Sequence, residues 1–91
     1  MTSVSVIVPA WNAAPSIAAC LDALTAQNYR RGPIEIIVVD NGSTDGTVEI
    51  ARRYPDLRLL HEPDPGSYRA RNAGLRVARG ELVAFTDADT V

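Results

Sequence analysis

Along the chain the apolar positions change period several times, and proline, glycine or a short polar cluster brackets each change. Val4 to Val8 is a β-branched run closed by Pro9, which predicts a first strand. Pro15 suits the first turn of a helix, and Ile17, Leu21 and Leu24 recur at helical spacing until the pattern fades near Gln27 and Asn28. Arg30-Arg31-Gly32-Pro33 reads as a turn. Ile34 to Val39 is apolar on both faces apart from Glu35, as expected of a parallel strand covered on both sides. The polar stretch Asp40 to Asp45 follows, where Gly42 permits a tight turn and Ser43 or Thr44 is expected to cap a second helix through Val48, Ala51 and Tyr54. Leu57 to Leu60 predicts a third strand, and two prolines stiffen the loop from His61 to Gly66. Ser67 opens a third helix with Ala70, Gly74, Val77 and Ala78 inward, which Gly80 is expected to stop. Leu82 to Phe85 predicts the fourth strand.

Strands and helices thus alternate, four to three, without an internal repeat. The expectation is an α/β fold: a Rossmann-like, mainly parallel four-stranded sheet with three helices on its two faces and right-handed crossovers. Ligands on such sheets bind beyond the carboxyl ends of the strands, where strand order reverses. The length of 91 residues holds one such unit and excludes a second domain.

Chemistry is therefore sought at the strand ends. Trp11, in the loop after the first strand, offers a flat face for a planar ring; it could equally close over the core. Asp40, at the end of the second, can accept hydrogen bonds from a ring N–H or sugar hydroxyls, and aspartate is also a common turn residue. Asp87-Ala88-Asp89 sets two hard oxygen ligands one residue apart beyond an apolar strand, where a divalent cation could link them to a diphosphate. Neither a GxGxxG turn nor a GxxxxGK[ST] loop is present, so the usual glycine cradles for dinucleotides and phosphates lose their support.

Charge and cysteine content narrow the partners. All nine basic residues are arginines and eleven carboxylates outnumber them, leaving a net charge of −2 and no general surplus for nucleic-acid binding. Arg69, Arg76 and Arg79 share a helix and read as a solvated stripe. His61 has no metal-spaced partner and is given a structural role or none. Cys20 is the single cysteine, which excludes an internal disulfide and reads as a small buried hydrophobe. No apolar stretch reaches the length of a membrane span, and a cytoplasmic location is expected, with the cytoplasmic face of a membrane open for a parent enzyme.

Four segments, taken together, resemble the inverting nucleotide-sugar glycosyltransferases of the GT-A fold, family 2 type. They are Val4 to Asn12, Glu35 to Thr47, Ala70-Arg71-Asn72-Ala73-Gly74, and Asp87-Ala88-Asp89, in the family's order and spacing. The resemblance implies that Pro9, Ala10 and Trp11 line the nucleotide base, with tryptophan replacing a more usual tyrosine. It implies that Asp40 contacts base or ribose, that Arg71 holds the nucleotide, that Asp87 and Ala88 lie against ribose or phosphate, and that Asp87 and Asp89 ligate Mn²⁺ or Mg²⁺. Asn41 stands where many members carry a second aspartate. UDP is the expected nucleotide, in a UDP-sugar donor.

In the resembled family the general base and the acceptor pocket lie downstream of the Asp-x-Asp element. The whole chain, 1–91, is accordingly expected to be the donor part of a GT-A domain, cut after that element. Alone it should bind a nucleotide sugar without transferring it to an acceptor, and its uncovered strand edge should favour self-association. Two alternatives are a noncatalytic nucleotide or nucleotide-sugar binding module, and a plain α/β interaction domain whose aspartates serve only turns.

Overall fold

In the computed structural model, which describes residues 3–31 and 34–88 (27–31 as backbone alone), every apolar run becomes a strand of one parallel sheet. The order along the chain is β1 (Val4–Ala10), α1 (Ala14–Arg31), β2 (Ile34–Asp40), α2 (Thr47–Ala51), β3 (Leu57–His61), α3 (Ser67–Val77) and β4 (Leu82–Phe85). Across the sheet the order is β3-β2-β1-β4. The expected α/β architecture is the one found.

Period-two alternation divides the core between two helix layers. Val6 and Val8 of β1 and Ile36 and Val38 of β2 pack with Ile17, Leu21 and Leu24 of α1 and Ala51 of α2. Ile7, Ile37 and Val39 face the other way, against Ala70 of α3, with Ala73 and Val77 around them. The chain crosses the sheet one way through α1 and α2 on one face, then returns through α3 on the other. All three crossovers therefore share one hand, and the order reverses between β1 and β4.

Several boundaries differ from expectation, each for a local reason. Pro9 lies inside β1, paired in register with Val39. Its carbonyl faces the β4 side, where it meets the Ala88 N–H at 3.4 Å beyond the last β1–β4 pair, so the missing proline N–H falls outside both ladders. Helix α1 continues through Arg31, so the first half of the expected turn is helical, while Gly32 and Pro33 lie outside the described residues. Helix α2 begins at Thr47 and ends at Ala51; neither Ser43 nor Thr44 caps it, because the N-cap position falls at Gly46 and Ser43 Oγ instead accepts the Asn12 N–H. Helix α3 ends at Val77, ahead of Gly80. Gly80 serves a close approach instead: a Cβ there would run into the Ser5 backbone, and its N–H donates to Ser5 Oγ at 2.7 Å.

The edge strand β4 differs from the other three. All four of its residues are exposed, Leu82 at 59% and Phe85 at 47%, since neither helix layer reaches past β1 on that side.

Candidate functional site

A cleft of about 530 Å³ opens at the carboxyl ends of β1 and β4, at the reversal of strand order. Pro9, Ala10, Trp11 and Ala13 line it from the β1 end, Asp87 and Ala88 from the β4 end, and Asn41 from the end of β2. Pro65, Gly66, Ser67, Ala70 and Arg71 form its remaining wall, at the start of α3. Six of the sequence-selected residues (Pro9, Ala10, Trp11, Arg71, Asp87 and Ala88) thus converge although they span most of the chain. Asp40 does not line the cleft, and Asp89 lies outside the described residues.

Trp11 stands on a ledge made from two loops. Asn12 takes a left-handed conformation (φ 47°), which asparagine tolerates better than most residues, and its N–H donates to Ser43 Oγ at 2.9 Å. The Thr44 N–H returns to Asn12 Oδ1 at 2.8 Å, the Ala13 N–H donates to Thr47 Oγ1 at 2.9 Å, and the Ala14 N–H to Asp45 Oδ2 at 3.1 Å. Four cross-links hold the loop after β1 to the loop after β2, leaving the Trp11 ring 65% exposed at the cleft mouth. The Thr47 hydroxyl also donates to Asp45 Oδ1. That bond, aided by the N–H groups of Thr47 and Ala14, holds the Asp45 carboxyl below the usual aspartate range.

The segment after β4 is held from α1. Ser16 Oγ donates to the Ala88 carbonyl at 3.0 Å, and Cys20 Sγ lies 3.9 Å from the Asp87 carbonyl. Ala88 is buried in the α1 layer, which explains a small residue there, and its neighbour Asp87 is exposed on the cleft side. Burial pushes the Cys20 thiol up, consistent with a packing role. The sequence reading missed Ser16; a serine one helical turn before Cys20 on the sheet-facing side is a weak signal taken alone.

Asp40 and Asn41 divide their tasks by strand parity. Asp40 shares the α1 and α2 face with Ile36 and Val38, and is in register with His61 on β3. Its buried carboxylate accepts the N–H groups of Gly42 and Ser43, each at 3.3 Å, and His61 Nδ1 lies 3.2 Å away. Gly42, at φ 84°, allows the turn to fold back onto it. Asn41 follows the alternation of Ile37 and Val39 and emerges on the α3 side, where the cleft lies. Its amide nitrogen donates to the carbonyls of Glu62 (2.9 Å) and Asp64 (2.7 Å), and its oxygen accepts the Gly66 N–H at 2.9 Å. Asn41 therefore shapes the loop that forms the cleft wall. An aspartate could not donate to those carbonyls. Counting parity from Ile37 would have distinguished the two residues in advance.

The cleft unites an aromatic face, a fixed cation and an open carboxylate. Among the described residues neither the Arg71 guanidinium nor the Asp87 carboxylate has a hydrogen-bond or ion-pair partner, so both side chains are available to a ligand. The first turn of α3 has no side-chain cap and no acidic residue, which favours negative charge beside it. Among the described residues no three His, Cys, Asp or Glu side chains gather into a metal cage. One open carboxylate at a cleft suits a Mg²⁺ or Mn²⁺ shared with a diphosphate, because such ions accept one or two carboxylates when phosphate oxygens complete the shell.

Comparison with known proteins places this geometry in a family. The family model described as Glycosyl transferase family 2 matches residues 5–91. Glycosyltransferase AglE of Haloferax volcanii is 48% identical over 91 residues, covering 94% of this chain and 30% of that protein. The mannosyltransferase PcManGT of Pyrobaculum calidifontis, solved with GDP-Man and Mn²⁺, is 46% identical and superposes with a TM-score of 0.85, covering 94% of this chain and 27% of that one. TarS residues 1–349 from S. aureus, solved with UDP-GlcNAc, is 35% identical with a TM-score of 0.84, covering 96% of this chain and 26% of the other. The chain thus spans between a quarter and a third of the length of each of these relatives.

Proposed function

Because the chain belongs to glycosyl transferase family 2, we propose that it forms the donor side of a glycosyltransferase, binding a nucleoside-diphosphate sugar, with UDP as the nucleotide. The observation that carries this reading is the convergence of Trp11, Arg71 and Asp87 on one cleft where strand order reverses. The GDP-Man named with the similar mannosyltransferase supports a nucleotide-sugar donor, and the UDP-GlcNAc named with TarS supports UDP as its nucleotide.

In this reading Pro9, Ala10 and Trp11 hold the planar base, the indole stacking on it. The planar guanidinium of Arg71 contacts a base carbonyl or a phosphate oxygen. Asp40 acts through the turn it closes, keeping Asn41 and the opposing loop in place, and Ala88 seats Asp87 toward ribose and metal. Asp87 and Asp89 would hold Mn²⁺ or Mg²⁺, which when bound supplies positive charge for the departing diphosphate. Inverting transfer to an acceptor hydroxyl also needs a general base. No residue of the cleft is assigned to that task, so these residues bind the donor but do not turn it over by themselves. The cytoplasm remains the proposed compartment, and the open β4 edge supports self-association of the chain.

Calorimetric titration with UDP, with and without Mn²⁺, tests the reading. Binding should tighten with Mn²⁺. Asp89→Ala should remove that gain, whereas Asp40→Ala should weaken binding with or without metal. An absence of UDP binding under both conditions would sink the proposal. UDP binding without any activity in a longer chain carrying these residues would favour a noncatalytic binding module.

A further inference from the structure

The outward face of α3 carries a pattern that nucleotide binding leaves unused. Helix α3 carries Arg69, Arg71 and Arg76 and no carboxylate, in a chain whose net charge is −2; Arg79, expected on the same helix, lies two residues beyond its end. Basic charge is thus concentrated on one element of an otherwise acidic molecule.

Helical geometry orders this face. Ala70, Ala73, Gly74 and Val77 lie on the sheet side, and at about 100° per residue Tyr68 and Leu75 fall opposite them with Asn72 beside them. Both are exposed, at 74% and 44%. Arg71 flanks this crest on the cleft side, and Arg69 and Arg76 flank it on the other. The single ion pair among the described residues of these flanks joins Arg69 to Asp64 at 3.4 Å with both side chains more than half exposed, so it holds the arginine weakly.

We propose that this face of α3 docks on the surface of an anionic lipid bilayer. A crest of Tyr68 and Leu75 beside cationic flanks suits the boundary between headgroups and acyl chains: Leu75 and the Tyr68 ring enter it, while Arg69 and Arg76 reach outward to lipid phosphates and Arg71 stays with the cleft. Charge complementarity alone would also fit a nucleic acid. Leu75 decides between them, because an aliphatic side chain at the crest neither stacks well on a base nor hydrogen-bonds to one. No helix among the described residues is long and apolar enough to cross a membrane, so the contact is a surface one. The same helix walls the cleft with its first turn, and docking therefore sets the cleft beside the lipid surface. The proposal stands on α3 and not on the identity of the nucleotide.

Co-sedimentation of the 91-residue chain with vesicles tests it. Vesicles of mixed phosphatidylglycerol and phosphatidylcholine should retain the protein at least tenfold better than phosphatidylcholine alone, and 0.5 M salt should release it. Arg69→Gln with Arg76→Gln should lower partitioning about 30-fold, at roughly 1 kcal/mol per arginine near such a surface. Tyr68→Ser with Leu75→Ser should lower it about tenfold, with far-UV circular dichroism of both variants matching the parent. Equal retention on both vesicle types, no retention on anionic ones, or double variants that bind like the parent would overturn the proposal. So would displacement of the vesicles by an equal charge concentration of poly(U), which would mark a nucleic-acid face. A failed UDP titration beside intact vesicle binding would count against the donor reading alone.

Discussion

Strands β2 and β4 are written in the same apolar vocabulary, Ile-Ile-Val-Val in one and Leu-Val-Ala-Phe in the other, yet their environments are opposite. Ile36 to Val39 are buried between the two helix layers, while all four residues of β4 are exposed at the end of the sheet. The difference lies in what surrounds each strand. β2 has a strand on either side and helices above and below; among the described residues β4 has only β1. An apolar run states a demand for cover, and strand order determines whether these residues meet it. The cleft opens at the seam between the well-covered and the uncovered part of the sheet.

Truncation tests this contrast most directly. Ile37→Ala removes a fully buried side chain held on all sides and should cost about 2–5 kcal/mol, read by urea denaturation. A cost below about 1 kcal/mol would show that the middle strands are not the tightly packed part. Gly80→Ala probes the seam, where the chain passes against Ser5 on its way to β4. The added methyl would collide with backbone, and a destabilisation of about 1–3 kcal/mol is expected, the usual range for overpacking. Asn41→Asp sets a carboxylate against two carbonyls and should loosen the cleft wall at a cost of about 1–3 kcal/mol, visible as faster amide exchange at Gly66. Phe85→Ser should alter unfolding free energy by no more than about 0.5 kcal/mol, as for other exposed sites. Light scattering should show less self-association in that variant, and unchanged scattering would place the sticky surface elsewhere.

The smallest expected effect is one of pH. The Asp45 carboxyl is depressed in the folded chain, so the stability it adds is complete above its unfolded pKa of about 3.9 and is lost as pH falls through the lower folded value. Trp11 fluorescence should report the loosening of the two-loop ledge below about pH 4, and Asp45→Asn should remove that transition.

Much of the fold was legible because it rests on local pattern. The β-branched runs, the helical spacing of Ile17, Leu21 and Leu24, and the polar clusters between them specify strands, helices and their order. Convergence of Trp11 and Asp87 was also legible, since a parallel sheet gathers the carboxyl ends of its strands on one edge, whereas Arg71 of α3 was reached only through the family resemblance. The interlock of Asn12, Ser43, Asp45 and Thr47 was not, because these residues also suit caps and turns, and only the approach of two loops chooses among those uses. His61 is similar: its contact with Asp40 follows from the register of β2 with β3, which a lone histidine does not announce.

By itself, then, the sequence determined the alternation of elements, the parallel sheet this implies and the set of polar residues delivered to one edge. Each depends on periodicities of two or 3.6 residues, which are local. Tertiary structure alone decided that Asn12, Ser43, Asp45 and Thr47 interlock two loops, that His61 meets Asp40, and that Gly80 is required by Ser5. These depend on strand order, register and close approach between segments far apart in the chain, where the energy lies in contacts no local window contains.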